Sequence, residues 1–110
     1  MSKLLIAALL TASVTLAQSP GNGETGKRNF VKLGCYTCHG YQGQGGGAGA
    51  KLAPRPISAA ALIAYVRHPS GTMPPFTSKV ASDAELTDIR AYLASVPEPP
   101  PAKNIPLLNQ

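Results

Sequence analysis

Gly34-Cys35-Tyr36-Thr37-Cys38-His39-Gly40 is the stretch on which the reading of this chain turns. Its Cys-x-x-Cys-His spacing is that of a covalent attachment site for a c-type haem. Two thiols three positions apart reach neighbouring vinyl groups on one porphyrin edge. The imidazole directly after the second thiol then falls beneath the iron. Cys35 and Cys38 would hold the macrocycle while His39 supplies the proximal nitrogen. Two other chemistries use a bare Cys-x-x-Cys. A thioredoxin-like redox disulfide needs a surrounding βαβ pattern, and the sequence has none. Structural zinc needs about four ligands; the chain offers two Cys and two His, His39 and His68. Adjacent Cys38 and His39 make an awkward pair around one tetrahedral ion.

Working outward, 110 residues allow one domain. The chain starts with Lys3, an apolar run from Leu4 to Leu10 and a weaker continuation to Ala17, with small residues at Thr15 and Ala17. This is the pattern of a secretory signal peptide over residues 1–17, cleaved near Ala17. An uncleaved anchor is the alternative, but residues 4–17 fall short of the ~20 a spanning helix needs. Export to a bacterial periplasm agrees with the motif, because haem is joined to reduced thiols outside the cytoplasm. An oxidising compartment would otherwise tend to pair Cys35 with Cys38.

The formal charge is +5, or +4 without Lys3. That balance suits an acidic protein surface or an anionic headgroup layer, and equally a merely solvated surface. It does not indicate nucleic acid, since no basic cluster exceeds Lys27-Arg28. With six aromatic residues and no Trp, so small a domain has little apolar area of its own to bury. A covalently held porphyrin would supply a large apolar core element.

The remaining pattern predicts helices. One covers residues 24–33, with Phe30, Val31 and Leu33 as its apolar positions and Glu24 in a favourable first turn. Gly26 and Phe30 share a face of it. A helical glycine is costly, which points to a close helix crossing over Gly26 or else to a frayed start. Residues 40–49 contain six glycines. They read either as a flexible loop or as a tight one passing the haem edge where side chains do not fit. Ser58 caps a helix over 59–67 with Leu62, Ile63 and Val66 buried, and Pro69 ends it. Ser82 and Glu85 form a capping box opening a last helix with Leu86, Ile89, Leu93 and Val96 at helical spacing. Residues 97–110 hold five prolines and read as a Pro-rich tail running extended over the surface. The domain itself spans residues 18–96.

Met73 is the only methionine after Met1, and it lies 34 residues beyond His39 in the loop Gly71-Thr72-Met73-Pro74-Pro75. Taken alone it reads as core filler. Beside a haem motif it reads as the second axial ligand, because a thioether is soft and a His/Met pair raises the reduction potential. Gly71 and the two prolines would restrict the loop so that little entropy is lost on ligation. His68, beside Pro69, is the only competing ligand.

With Cys35, Cys38, His39 and Met73-Pro74-Pro75 in hand, the chain resembles the class I monohaem cytochromes c of bacteria over about residues 22–96. The resemblance implies an all-α fold, three or four helices around one covalently attached haem, with the N- and C-terminal helices crossing. Gly26 and Phe30 should then meet Ile89, Tyr92 or Leu93. The family often carries Gly-Pro after the haem motif, with the proline carbonyl accepting from the proximal imidazole; here the matching dipeptide is Gly49-Ala50. The carbonyl remains available, without the ring's rigidity. Arg55 and Tyr65 are candidate propionate partners.

Function follows as an expectation: a periplasmic single-electron carrier with one haem c, held by Cys35 and Cys38 and ligated by His39 and Met73. With both axial positions filled, chemistry is confined to electron exchange, so the protein is not read as an enzyme. Its partners would be redox proteins, a dehydrogenase as donor and an oxidase or another cytochrome as acceptor, approached through scattered Lys27, Lys32, Lys51 and Lys79. No stable membrane insertion is expected after cleavage. The alternative is a cytochrome subunit of a periplasmic dehydrogenase complex, to which the tail would bind. Peroxide chemistry or gas sensing would require Met73 to leave the iron, and no distal acid or base is evident.

Overall fold

Helix α1 (Gly23–Lys32) starts where the Asn22 side chain accepts a hydrogen bond from the Thr25 N–H at 2.9 Å. Glu24 in its first turn and Lys32 in its last both complement the helix dipole. The structure, a computed structural model, describes residues 20–110; the expected signal peptide at 1–17 lies outside them. The end of α1 sets up the motif. Gly34, at φ +77°, lets its own N–H reach the Val31 carbonyl and the Cys35 N–H reach the Phe30 carbonyl. These two bonds form the left-handed glycine stop of a helix. Cys35 is thereby placed by the same turn that terminates α1. The chain re-enters a short helix at once, α2 (Tyr36–His39).

Helix α3 (Ala59–Arg67) is capped by Ser58, whose Oγ accepts from Ala61 N–H at 3.2 Å. Helix α4 (Asp83–Ser95) opens with the full capping box: Ser82 Oγ accepts from the Glu85 N–H, and Glu85 Oε2 accepts from the Ser82 N–H. That backbone bond is the main reason the Glu85 carboxyl is held below its ordinary value. Among the described residues these four α-helices make the fold, with no strand. The expected all-α architecture is present.

α1 and α4 cross against each other. Phe30 and Leu93 are fully buried at this crossing, joined by Leu86, Ile89 and Tyr92 from α4 and Leu62 from α3. The Phe30 and Tyr92 rings meet tilted at 59° with centroids 5.7 Å apart, a geometry worth about 0.5–1.5 kcal/mol beyond area. Asp88 Oδ1 accepts from the Asn22 N–H at 2.7 Å and ties α4 to the start of α1. Gly26 sits where the backbones approach: a Cβ there would overlap the Asp88 carbonyl oxygen and lie 2.9 Å from the Ile89 nitrogen. The costly helical glycine is thus explained by the crossing.

Gly26→Ala decides between two opposed effects. Alanine gains about 1 kcal/mol of helix propensity. Overpacking against backbone that cannot yield costs about 1–3 kcal/mol and occasionally more. The clash here is with a main-chain carbonyl, so the variant should be less stable by roughly 2 kcal/mol in denaturant unfolding. A gain in stability would show that the helices separate freely.

Two expectations need correction. Val31 is 41% exposed and faces solvent rather than the core, because Phe30 and Leu33 take the inward positions on either side of it. The tail is not extended throughout. It forms two 3-10 turns, Ala102–Asn104 and Pro106–Leu108, with Pro106 fixing the start of the second. The Asn109 amide donates to the carbonyls of Ala102, Lys103 and Ile105 and so closes the pair.

Candidate functional site

Residues 40–58 connect α2 to α3, and the first part of their backbone folds back onto α2. The Gly45 N–H donates to the His39 carbonyl at 2.8 Å, and the N–H groups of Leu52 and Ala53 both donate to the Gly43 carbonyl. Tyr36 and Tyr41 stack across α2 with centroids 4.5 Å apart. The Tyr92 hydroxyl donates to the Tyr41 carbonyl at 2.6 Å, fastening this turn to α4. At the tip, Gly46 and Gly47 have no neighbour a Cβ would meet. The glycine-rich loop is therefore tight at its base and open at its tip, a mixture of the two readings.

The base of that loop orients His39. Its Nδ1 lies 2.7 Å from the Ala50 carbonyl oxygen. A carbonyl only accepts, so Nδ1 carries the proton and Nε2 keeps its lone pair. The absent proline at position 50 costs the contact nothing. Gly49 makes the approach possible, since a Cβ there would stand 2.7 Å from the Cys38 carbonyl oxygen and 2.9 Å from Nδ1 itself.

Cys35, Cys38, His39 and Met73 all line one cavity of about 670 Å³. Phe30, Leu33, Leu52, Leu62, Ile89 and Leu93 give it apolar walls drawn from α1, α3, α4 and the connecting loops. Both cysteines are free thiols. Burial pushes the Cys35 thiol above its ordinary value, outweighing its own backbone hydrogen bond. His68 caps the end of α3 and is not part of the cavity wall. Among the described residues, no group of three or more His, Cys, Asp and Glu side chains is placed to hold a metal ion, so the zinc alternative has no ligand set.

The model of the family described as "Cytochrome C oxidase, cbb3-type, subunit III" matches residues 21–93, well over half of the chain. The chain belongs to this family of c-type cytochromes. No curated protein and no solved structure matches it. A cytochrome c domain is an electron-transfer module that binds haem c, and the residues here fit that group. The cavity lies within the ~300–1,000 Å³ range of cofactor pockets and is mostly apolar. Two thiols and an imidazole with a free Nε2 stand on its wall.

Other polar residues of the cytochrome are only partly where sequence put them. Arg55 and Tyr65 both border the cavity. Arg55 is engaged by Glu98 of the tail at 2.6 Å, an exposed pair worth little by itself. The Tyr65 hydroxyl lies 3.0 Å from Ser70 Oγ. Of the lysines considered for docking, Lys51 is on the cavity rim, and Lys32 is 3.7 Å from Glu85. Sequence reasoning missed the Tyr92–Tyr41 bond, which spans 51 positions, and the bonds from Arg67 to the Phe76 carbonyl and the Asp83 carboxylate. No local pattern announces such contacts. Among the described residues no helix is long and apolar enough to cross a membrane.

Proposed function

We propose that this cytochrome is an exported single-electron carrier holding one haem c through Cys35 and Cys38, with His39 and Met73 as axial ligands. The observation that carries this reading is the gathering of all four side chains on one largely apolar cavity, with His39 turned by the Ala50 carbonyl so that Nε2 is free. When bound, the haem supplies a one-electron Fe(III)/Fe(II) couple. The chain's residues do the rest. The Cys35 and Cys38 thiols would anchor it, the His39 imidazole and Met73 thioether would ligate the iron, and the apolar walls would keep water away. The Ala50 carbonyl keeps the imidazole in one tautomer and one orientation. The signal-peptide pattern at 1–17 supports a periplasmic location, and cleavage near Ala17 leaves no stable membrane insertion.

Two observations favour a second reading, a cytochrome subunit bound within an oxidoreductase complex. The family's description names an oxidase subunit. The tail also leaves Leu107 79% and Leu108 64% exposed on its second turn. In that complex the chain would accept electrons from the cofactor of a partner such as a dehydrogenase. In either role the chain is not itself an enzyme, and redox proteins are its partners. Reductive titration of purified protein should consume one electron per chain, and gel filtration of native extract should place the haem at monomer size. A haem peak only in a larger assembly establishes the bound subunit; a chain that takes up no electron overturns both.

A further inference from the structure

The segment joining α3 to Phe76 is held at its base by both polar groups of one peptide residue. The Phe76 N–H donates to the Val66 carbonyl at 3.0 Å. The Phe76 carbonyl accepts from Arg67 Nη1, also at 3.0 Å. Consecutive residues at the end of α3 thus grip the same point of the returning chain. Arg67 goes further: its Nη2 donates to Asp83 Oδ1 at 2.6 Å, in the first turn of α4. Its side chain is only 17% exposed although Asp83 is largely in solvent. One guanidinium joins the end of α3, the exit of the loop and the start of α4.

Met73 lies three residues before Phe76, and the two residues between are Pro74 and Pro75. Neither proline has an N–H to bond, and each has φ fixed near −65°. Met73 precedes a proline and is itself restrained to extended backbone. Few soft dihedrals separate the anchored Phe76 from the Met73 Cα. A constraint applied at Phe76 is therefore carried to the thioether with little slack, whereas on the other side the chain passes through Gly71, at φ +70°, two residues before Met73.

We propose that Arg67 is the positioning residue for Met73, holding the loop exit against α3 and α4 so that the thioether stays on the iron. This rests on the reading of Met73 as axial ligand. Arg67 is not part of the cavity wall. It acts by raising the cost of swinging the Phe76 end outward, the movement that frees the sixth position. The guanidinium is required because a planar fork reaches two acceptors at once, where an ammonium is a point charge.

The test is imidazole binding to ferric, haem-loaded protein, a reaction gated by departure of the thioether, with midpoint potential and thermal unfolding measured alongside. Arg67→Met keeps the length and apolar stem but removes both donors. It should bind imidazole faster by roughly tenfold or more, the factor expected when a charge-assisted hydrogen bond is lost, and should show a weaker Met-to-iron absorption band. Arg67→Lys should fall between Arg67→Met and the native protein, and stands in for it if Arg67→Met fails to fold. Asp83→Asn, which leaves the Phe76 contact in place, should change the rate by no more than about threefold. Met73→Ala is the reference and should bind without delay. If Met73→Ala is fast while the Arg67 variants bind at the native rate, Arg67 does not position the ligand, even if their unfolding temperature drops. If Met73→Ala is as slow as the native protein, the ligation reading itself falls, and the proposal with it.

Discussion

Cys35→Ala/Cys38→Ala should yield a protein from which acid–acetone extracts all the haem, and which without haem no longer folds to one packed state. The cavity explains the size of the effect. Without haem the largely apolar wall of the roughly 670 Å³ cavity faces water, at about 25 cal/mol for each Å² the porphyrin would cover. That loss is large for a small domain, whose whole stability is about 5–15 kcal/mol. Water enters the cavity or the helices close on one another. Phe30, Leu62, Ile89 and Leu93 all present surface to it, so the hydrophobic core has no substitute filling. Circular dichroism should show reduced helix, and hydrophobic dye should bind. Haem that resists extraction from the double variant would remove the thiols from the attachment role.

Met73→Ala should leave haem attached but open the sixth position. The midpoint potential should fall on the order of 0.1 V or more, a fraction of the ~0.8 V that axial ligands command. The thioether favours the reduced state, and alanine offers no replacement. His68 is not on the cavity wall and cannot take over without unwinding the end of α3. Azide and cyanide, which should bind native ferric protein slowly and weakly, should bind the variant at once. A native potential and spectrum in Met73→Ala would exclude Met73 as ligand.

Most of the helical framework is legible because its signals are local. Ser58 and the Ser82/Glu85 pair announce their helix starts within a few residues, and the spacing of Leu86, Ile89 and Leu93 fixes which face of α4 turns inward. Val31 shows the limit of such reasoning, since a hydrophobic residue directly after buried Phe30 on a helix is turned about 100° away from it. The tail shows another. Prolines announce only that regular helix is excluded, while the turns depend on Asn109 reaching back to three carbonyls.

The sequence by itself determined that Cys35, Cys38 and His39 lie close together on the backbone, because all three fall within the five consecutive positions 35–39. It likewise determined the helical class and, through Pro74 and Pro75, the stiffness of the Met73 loop. Tertiary structure decided how closely those parts meet. The resemblance pointed to the Ala50 carbonyl as the partner of His39, and the folded glycine loop brings it to 2.7 Å from Nδ1. The exit of the Met73 loop is fastened by Arg67, which bridges Phe76 and Asp83. These are contacts between segments whose approach is set by the α1–α4 crossing at Gly26, and no spacing along the chain encodes a distance through space.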